Sequence, residues 1–349
     1  MINSVINVDW LQLNCRSKHY DYFSNDEYKL EQTTIRTRNF LIVDEFYWNN
    51  RKTATIARKP SSTALDANII LIKFDNWLLY QKNLKEIIKQ FLNILKLIPV
   101  NITRFDIALD FKRFNKNLLP GQLIERFMSN KYLKIGKGKG SLHFNHNYHF
   151  ISEYIRFGSN QSNICYYLYN KTKELNDVKK KPYIEDCWAL NNFDKNSDTW
   201  RIEFSIKTGN VDIFNQETGE LEPLKTGHKK NKQLNLDLLL DTSFIKDLFF
   251  TLAKKYFTFY RNTGGKKCRM PVIDLFGTFT IEKNLQYITK KIENGRADKI
   301  FLNKINSLND ELRFIAKDAE LVEAQQKLIK HFVGSRNLHR YAKKKGIEF

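Results

Sequence analysis

Three short stretches of this chain alternate apolar and polar side chains with a period of two, the pattern of half-buried β-strands. They are Thr103 to Phe111 (TRFDIALDF), Asn163 to Lys171 (NICYYLYNK) and Arg201 to Lys207 (RIEFSIK). In the first, Phe105, Ile107, Leu109 and Phe111 point one way and Arg104, Asp106, Ala108 and Asp110 the other. In the third, Ile202, Phe204 and Ile206 form the buried set, leaving Arg201, Glu203, Ser205 and Lys207 opposite. The middle stretch sends Cys165, Tyr167, Tyr169 and Lys171 to one side and Tyr166 to the other. Placed in one sheet, the three bring acids, tyrosines and cations onto one surface.

Elsewhere the first hundred residues read as strands and one helix. Val8 to Cys15 alternates in places, and Asn68 to Phe74 is an apolar, β-branched run. Leu84, Ile87, Ile88, Phe91, Leu92 and Leu95 recur at helical spacing, with Pro99 just beyond as a stop. KYLKIGKGKG (residues 131–140) lacks the spacing of a phosphate-binding Walker loop and reads as a solvated loop, and His143, His146 and His149 follow it. Lys173 to Asp198 reads as a polar, solvent-facing excursion, Asn210 to Lys232 as a loop, and Asp241 to Tyr260 as a helix. RNTGGKKCRM after that helix reads as a linker. The expected fold is α+β: a large twisted antiparallel sheet with helices on one face, its polar face open, plus a smaller helical C-terminal part. The expected domains are 1–262, carrying the chemistry, and 263–349, basic and largely helical.

The formal charge is +20 and the pI near 9.6, a field that attracts polyanions and makes nucleic acid the leading partner class. Cys15, Cys165, Cys187 and Cys268 are scattered without a CxxC pair, which suggests neither a zinc site nor a disulfide framework. No stretch approaches the roughly 18 apolar residues of a membrane span, and the start lacks a signal-peptide pattern. A soluble, unprocessed protein of the reducing cytoplasm is expected, with no membrane partner.

On the polar strand faces, Asp106 and Asp110 lie four residues apart, about 13 Å along a regular strand, too far to share one ion. Asp106 with Glu203 is the preferred carboxylate pair and Asp110 a second candidate; such oxygens suit Mg²⁺ or Mn²⁺ acting on a phosphoryl group. Ordinary ion pairing of these acids with Arg104 and Arg201 is the alternative. A tyrosine beside such an ion can attack a phosphodiester and conserve its bond energy. Tyr169 is preferred to Tyr167 because it is nearest Lys171, which could lower its pKa or neutralise a phosphate. The basic loop around Lys266, Lys267 and Arg269 is expected to hold DNA through phosphates, unless its lysines merely solvate a helix.

TRFDIALD, FGSNQSN leading into YLYNK, and WRIEFSIK, in that order, resemble the tyrosine-dependent initiators of plasmid and phage rolling-circle replication, the replication initiation factor or Rep_trans family, with related relaxases. The likeness covers roughly residues 8–207. It implies a protein that nicks one strand at an origin, stays linked to the 5′ phosphate through tyrosine and later rejoins the strand. Carried over, it implies Tyr169 as nucleophile, Asp106 and Glu203 as metal ligands, and Lys171 and Arg201 as phosphate contacts. Implied partners are double-stranded origin DNA, single-stranded DNA and a host helicase, with a second copy of the chain kept open. The alternatives are a conjugative relaxase of a mobile element and a non-catalytic nucleic-acid-binding protein.

Overall fold

The computed structural model describes residues 4–17, 27–35, 37, 39–61, 68–134, 140–144, 150–158, 162, 164–178, 180–194, 196–207, 211–213, 236–266, 269–277 and 287–289. The chain divides into two compact units, Met1–Thr289 and Lys290–Phe349, and every described residue belongs to the first. The expected C-terminal helices therefore lie outside the described residues.

The strands are β1 (Ser4–Arg16), β2 (Tyr28–Gln32), β3 (Phe40–Trp48), β4 (Arg51–Pro60), β5 (Ile69–Phe74), β6 (Ile98–Phe111), β7 (Tyr132–Leu133), β8 (Gly140–Phe144), β9 (Phe150–Phe157), β10 (Ile164–Asn170), β11 (Trp200–Lys207), β12 (Val211–Ile213), β13 (Tyr260–Arg261) and β14 (Tyr287–Thr289). The helices are α1 (Asn76–Leu79), α2 (Leu84–Ile94), α3 (Pro120–Met128), α4 (Lys171–Asp177), α5 (Pro182–Leu190), α6 (Leu236–Leu239) and α7 (Thr242–Tyr256). Ten strands form one sheet in the order β2-β3-β4-β5-β1-β6-β11-β10-β9-β8, and each neighbouring pair is antiparallel. This is the expected α+β architecture, and the three alternating stretches lie side by side as β6, β11 and β10.

Local chemistry sets the turns. Asn49 and Asn50 join β3 to β4 with φ of 47° and 59°, the left-handed pair that a tight hairpin requires and that asparagine tolerates. Gly158 leaves β9 at φ +91°, and a Cβ there would stand 2.9 Å from the Ile164 carbonyl oxygen, so only glycine fits.

One face of the sheet is apolar and carries α2, α3 and α7. Ile88, Phe91 and Leu92 of α2, Leu123 and Ile124 of α3, and Phe244, Leu248, Phe249 and Leu252 of α7 are buried in one cluster with Phe105, Ile107, Leu168, Ile202 and Phe204. Tyr166 belongs to it, its ring 5.1 Å from Phe157 and 5.5 Å from Phe204. Each such side chain contributes roughly 1.5–3 kcal/mol by burial, against about 1 kcal/mol for the Asp241 cap on Ser243 and Phe244, so apolar packing holds the helix layer.

Two expectations are corrected. The polar face is not wholly open: the segment after β10 forms α4 and α5, and Leu175, Ile184, Trp188 and Phe193 make a second cluster against Val5 and Tyr80. The polar composition of Lys173 to Asp198 reads as a solvated excursion, but Ile184 and Trp188 stand four apart on a helix and bury together. The segment after residue 262 is no linker either. Met270 and Leu275 are buried, Arg261 N–H donates to the Pro271 carbonyl, and Asn115 N–H donates to that of Leu275. The first unit thus runs past 262 to Thr289. No helix among the described residues is long and apolar enough to cross a membrane.

Candidate functional site

Antiparallel register aligns side chains on the polar face in rows across β6, β11, β10 and β9. Asp110, Arg201, Tyr169 and Tyr154 form one row; Ala108, Glu203, Tyr167 and Arg156 the next; Asp106, Ser205 and Cys165 a third. Arg104 and Lys207 follow. On the other side of β6, the pairing of β1 slips between Val8 and Trp10, and this bulge inserts Asp9 between the second and third rows, from where its carboxylate reaches Arg201.

Arg201 is fully buried and fixes the first row. Its Nε and Nη2 donate to Asp110 Oδ1 and Oδ2 at 2.6 and 2.8 Å, Nη1 donates to Asp9 Oδ1 at 2.7 Å, and Nη2 also donates to the Tyr80 hydroxyl at 2.9 Å. Trp188 Nε1 donates to Asp110 Oδ2 at 2.8 Å. Burial pushes the Asp9 carboxyl up, but Arg201 and Lys171 outweigh it and hold Asp9 well below the usual carboxylate range. Charges removed from water survive only in such a saturated arrangement.

The next two rows differ. The Tyr169 hydroxyl donates to Glu203 Oε2 at 2.9 Å, and among the described residues Glu203 has no cation within ion-pair distance. Burial, then the negative charges of Asp9 and Asp106, raise Glu203 from 4.5 to about 7, against the pull of Arg201 and the Tyr169 hydrogen bond. Burial and the adjacent Glu203 hold the Tyr169 phenol well above its usual range, so the pair is a neutral phenol beside a carboxylate poised near neutrality. Asp106 is buried and held by both oxygens to Arg104, at 3.0 Å from Nε and 2.5 Å from Nη2. Its carboxyl is raised by burial despite Arg104.

A stability prediction follows from Glu203. Because its folded pKa is raised, its contribution is fully present below about pH 4.5 and is lost as pH rises through about 7. In metal-free buffer, Glu203→Gln is expected to stabilise the protein at pH 8 by ~2 kcal/mol, a gain that shrinks at pH 5 and vanishes below the ordinary glutamate pKa. Urea midpoints across that range measure it. A gain independent of pH would mean Glu203 is ionised throughout.

Of the residues singled out in the sequence, Asp106, Glu203 and Tyr169 share one face of three adjacent strands. Asp110 and Arg201 are instead spent on each other, which leaves Asp110 poorly placed as a metal ligand and Arg201 poorly placed as a phosphate contact. Lys171 begins α4 rather than ending β10, and Asn170 caps that helix by accepting from Lys173 N–H. Its side chain is buried and paired with Glu174, its ammonium 5.5 Å from the centre of the Tyr169 ring, and burial and Arg201 push its pKa down. It therefore turns inward and does not lower Tyr169. Lys266 and Arg269 are exposed on the loop after β13, with no bond to the site, and Lys267 lies outside the described residues, as do His146, His149 and Cys268.

Asp9, Tyr80 and Trp188 were missed. Only Asp9 left a trace: Val8, Leu11, Leu13 and Cys15 are buried at spacings of three, two and two, and the odd step marks the bulge. Among the described residues no three His, Cys, Asp or Glu side chains could enclose a metal ion. A hard divalent cation that keeps water and takes phosphate oxygens needs only one or two carboxylates, however. Glu203 offers one such carboxylate, and Asp106, destabilised as an anion chiefly by burial and held at both oxygens by Arg104, would serve as the second only by giving up part of that pair.

No family model matches this chain, and no curated protein matches it. Among solved structures it is similar to the rolling circle replication initiator protein from Geobacillus stearothermophilus, at 12% identity and a TM-score of 0.43, over 77% of this chain and 92% of that one. A likeness of that depth assigns neither family nor activity, and the functional reading rests on the site.

Proposed function

We propose that the chain is a rolling-circle replication initiator that nicks one DNA strand with Tyr169 and later rejoins it. The observation that carries this is the 2.9 Å hydrogen bond from the Tyr169 hydroxyl to Glu203, on the polar face of a sheet in a chain of net charge +20. Glu203 takes the phenolic proton as the Tyr169 oxygen bonds to phosphorus. The bond from phosphorus to the 3′ oxygen breaks, and that oxygen leaves with the proton returned by Glu203. The 5′ phosphate remains on Tyr169, and the reverse sequence rejoins the strand. Asp106 and Glu203 would hold Mg²⁺ or Mn²⁺, which when bound supplies positive charge to the phosphoryl oxygens. Arg104, paired with Asp106, limits the charge that carboxylate brings near DNA. Double-stranded origin DNA, the released single strand and a helicase are the partners of this reading, in the cytoplasm.

Incubation with a supercoiled plasmid carrying the cognate origin, with Mg²⁺ or Mn²⁺, is the test. Nicked circles with protein covalently on the 5′ end support the enzyme; binding without any adduct supports a non-catalytic DNA-binding protein. Nicking that depends on a transfer origin would make it a conjugative relaxase. Asp106→Ala is expected to stop nicking in either metal while non-covalent binding persists, and nicking that resists chelation would remove the metal from the scheme.

A further inference from the structure

The polar sheet face carries an aromatic side chain that this chemistry does not use. Trp10 stands on β1 opposite Asp106 of β6, half-buried, and among the described residues no other aromatic ring contacts it. Two cations sit on its indole: the Lys73 ammonium 4.0 Å and the Arg104 guanidinium 4.2 Å from the ring centre. The register explains both, since Gln12 of β1 faces Arg104 on β6 and Lys73 on β5. The two cations are held differently. Arg104 is fixed by both oxygens of Asp106, whereas Lys73 is exposed and, among the described residues, has no carboxylate within ion-pair distance. Beyond Glu203, β10 and β9 carry Tyr167 and Tyr154 with rings 6.3 Å apart, and the Arg156 guanidinium lies 5.4 Å from the Tyr167 ring. Cations and flat rings thus flank the Tyr169–Glu203 pair on both sides, along a line that crosses the strands. From β1 to β10 is three strand spacings, roughly 14 Å.

We infer that Trp10 is a stacking platform for one unpaired base of a DNA strand lying across the sheet, with Lys73 leaving the indole for the adjacent phosphate as the base arrives. An ammonium on an indole face occupies the place that a base would take with larger contact area, and a cation beside a ring is the arrangement that single-strand grooves use. A duplex hides the faces of its bases, so the occupant is unpaired. The assignment rests on the proposed nicking reading for the direction of the strand, but its test does not require cleavage.

The experiment measures anisotropy of fluorescein-labelled dT12 with the full chain, without divalent metal, against a duplex of equal length. Trp10→Leu is expected to weaken dT12 about 5- to 100-fold and the duplex far less, and Trp10→Phe to recover most of the loss. Lys73→Met is expected to lower the slope of log affinity against log salt by about 0.7 for dT12. Equal losses on dT12 and duplex, or dT12 affinity and salt slope unchanged in all three variants, overturn the platform. Should Trp10→Leu fail to fold, Lys73→Met decides: a salt slope lowered for dT12 and not for the duplex supports the platform, and a dT12 slope that is unchanged, or lowered equally on the duplex, overturns it. Wild-type protein that forms no adduct on origin plasmid would remove the nicking reading and leave the stacking result standing, so the two failures are distinguishable.

Discussion

Replacing Tyr169 with Phe is expected to abolish the covalent protein–DNA adduct, lowering nicking by roughly 10³-fold or more, while non-covalent DNA binding persists. The substitution removes one oxygen and keeps the ring in its place on β10. That oxygen carries the proton donated to Glu203 Oε2 at 2.9 Å, a carboxylate placed to accept it. Tyr167 offers a direct comparison. It is half-buried on the same face, but burial and the neighbouring Cys165 raise it to about 12, and among the described residues its hydroxyl donates to no carboxylate. Tyr167→Phe is therefore expected to keep the adduct. Denaturing gels of labelled DNA read both variants. An adduct that survives in Tyr169→Phe and disappears in Tyr167→Phe would move the nucleophile one strand step.

The second large effect is on stability. Arg201→Met should cost about 3–5 kcal/mol, because it leaves the carboxylates of Asp110 and Asp9 in the interior without their counter-charge. Arg201→Lys should recover only part, since an ammonium cannot donate in parallel to both Asp110 oxygens and also reach Asp9 and Tyr80. The sign with pH is opposite to that of Glu203. The Asp9 carboxyl is held low, so its stabilisation is present above the ordinary carboxylate pKa and is lost as pH falls through the lowered folded value. The cost of Arg201→Met should thus be largest near pH 7 and shrink toward pH 4, where the carboxyls left without Arg201 take up protons. Urea titrations at pH 7 and pH 4 measure this. A loss below about 1 kcal/mol would mean that water reaches the pair.

The residues that were read correctly and those that were not differ in how local their behaviour is. Alternation put Phe105, Ile107, Phe204 and Tyr166 on the core side and Asp106, Glu203 and Tyr169 on the other, and helical spacing identified the buried residues of α2. Those assignments need only the pleat and the turn of one segment. The reading failed where a residue's partner lies far along the chain. Arg201 looked like a free cation on a polar strand face, yet one of its acceptors, Asp9, is 192 residues away. Lys171 looked like the end of a strand, and the Asn170 cap turned it into the start of α4, whose Leu175 packs with Ile184 and Trp188 of α5, the latter bonded to Asp110 of the first row.

By itself, then, the sequence determined the strand periodicity, the α+β class, the charge that favours a polyanion and the face on which the acids and tyrosines stand. The tertiary structure decided which of them are spent on one another. Order β6-β11-β10 and the bulge at Asp9 deliver Arg201 to Asp110 and Asp9, Asp106 to Arg104, and leave Glu203 to Tyr169. The physical reason is that facing is a property of a single strand's pleat, whereas pairing depends on register, and register is set by contacts between segments that the chain brings together only on folding.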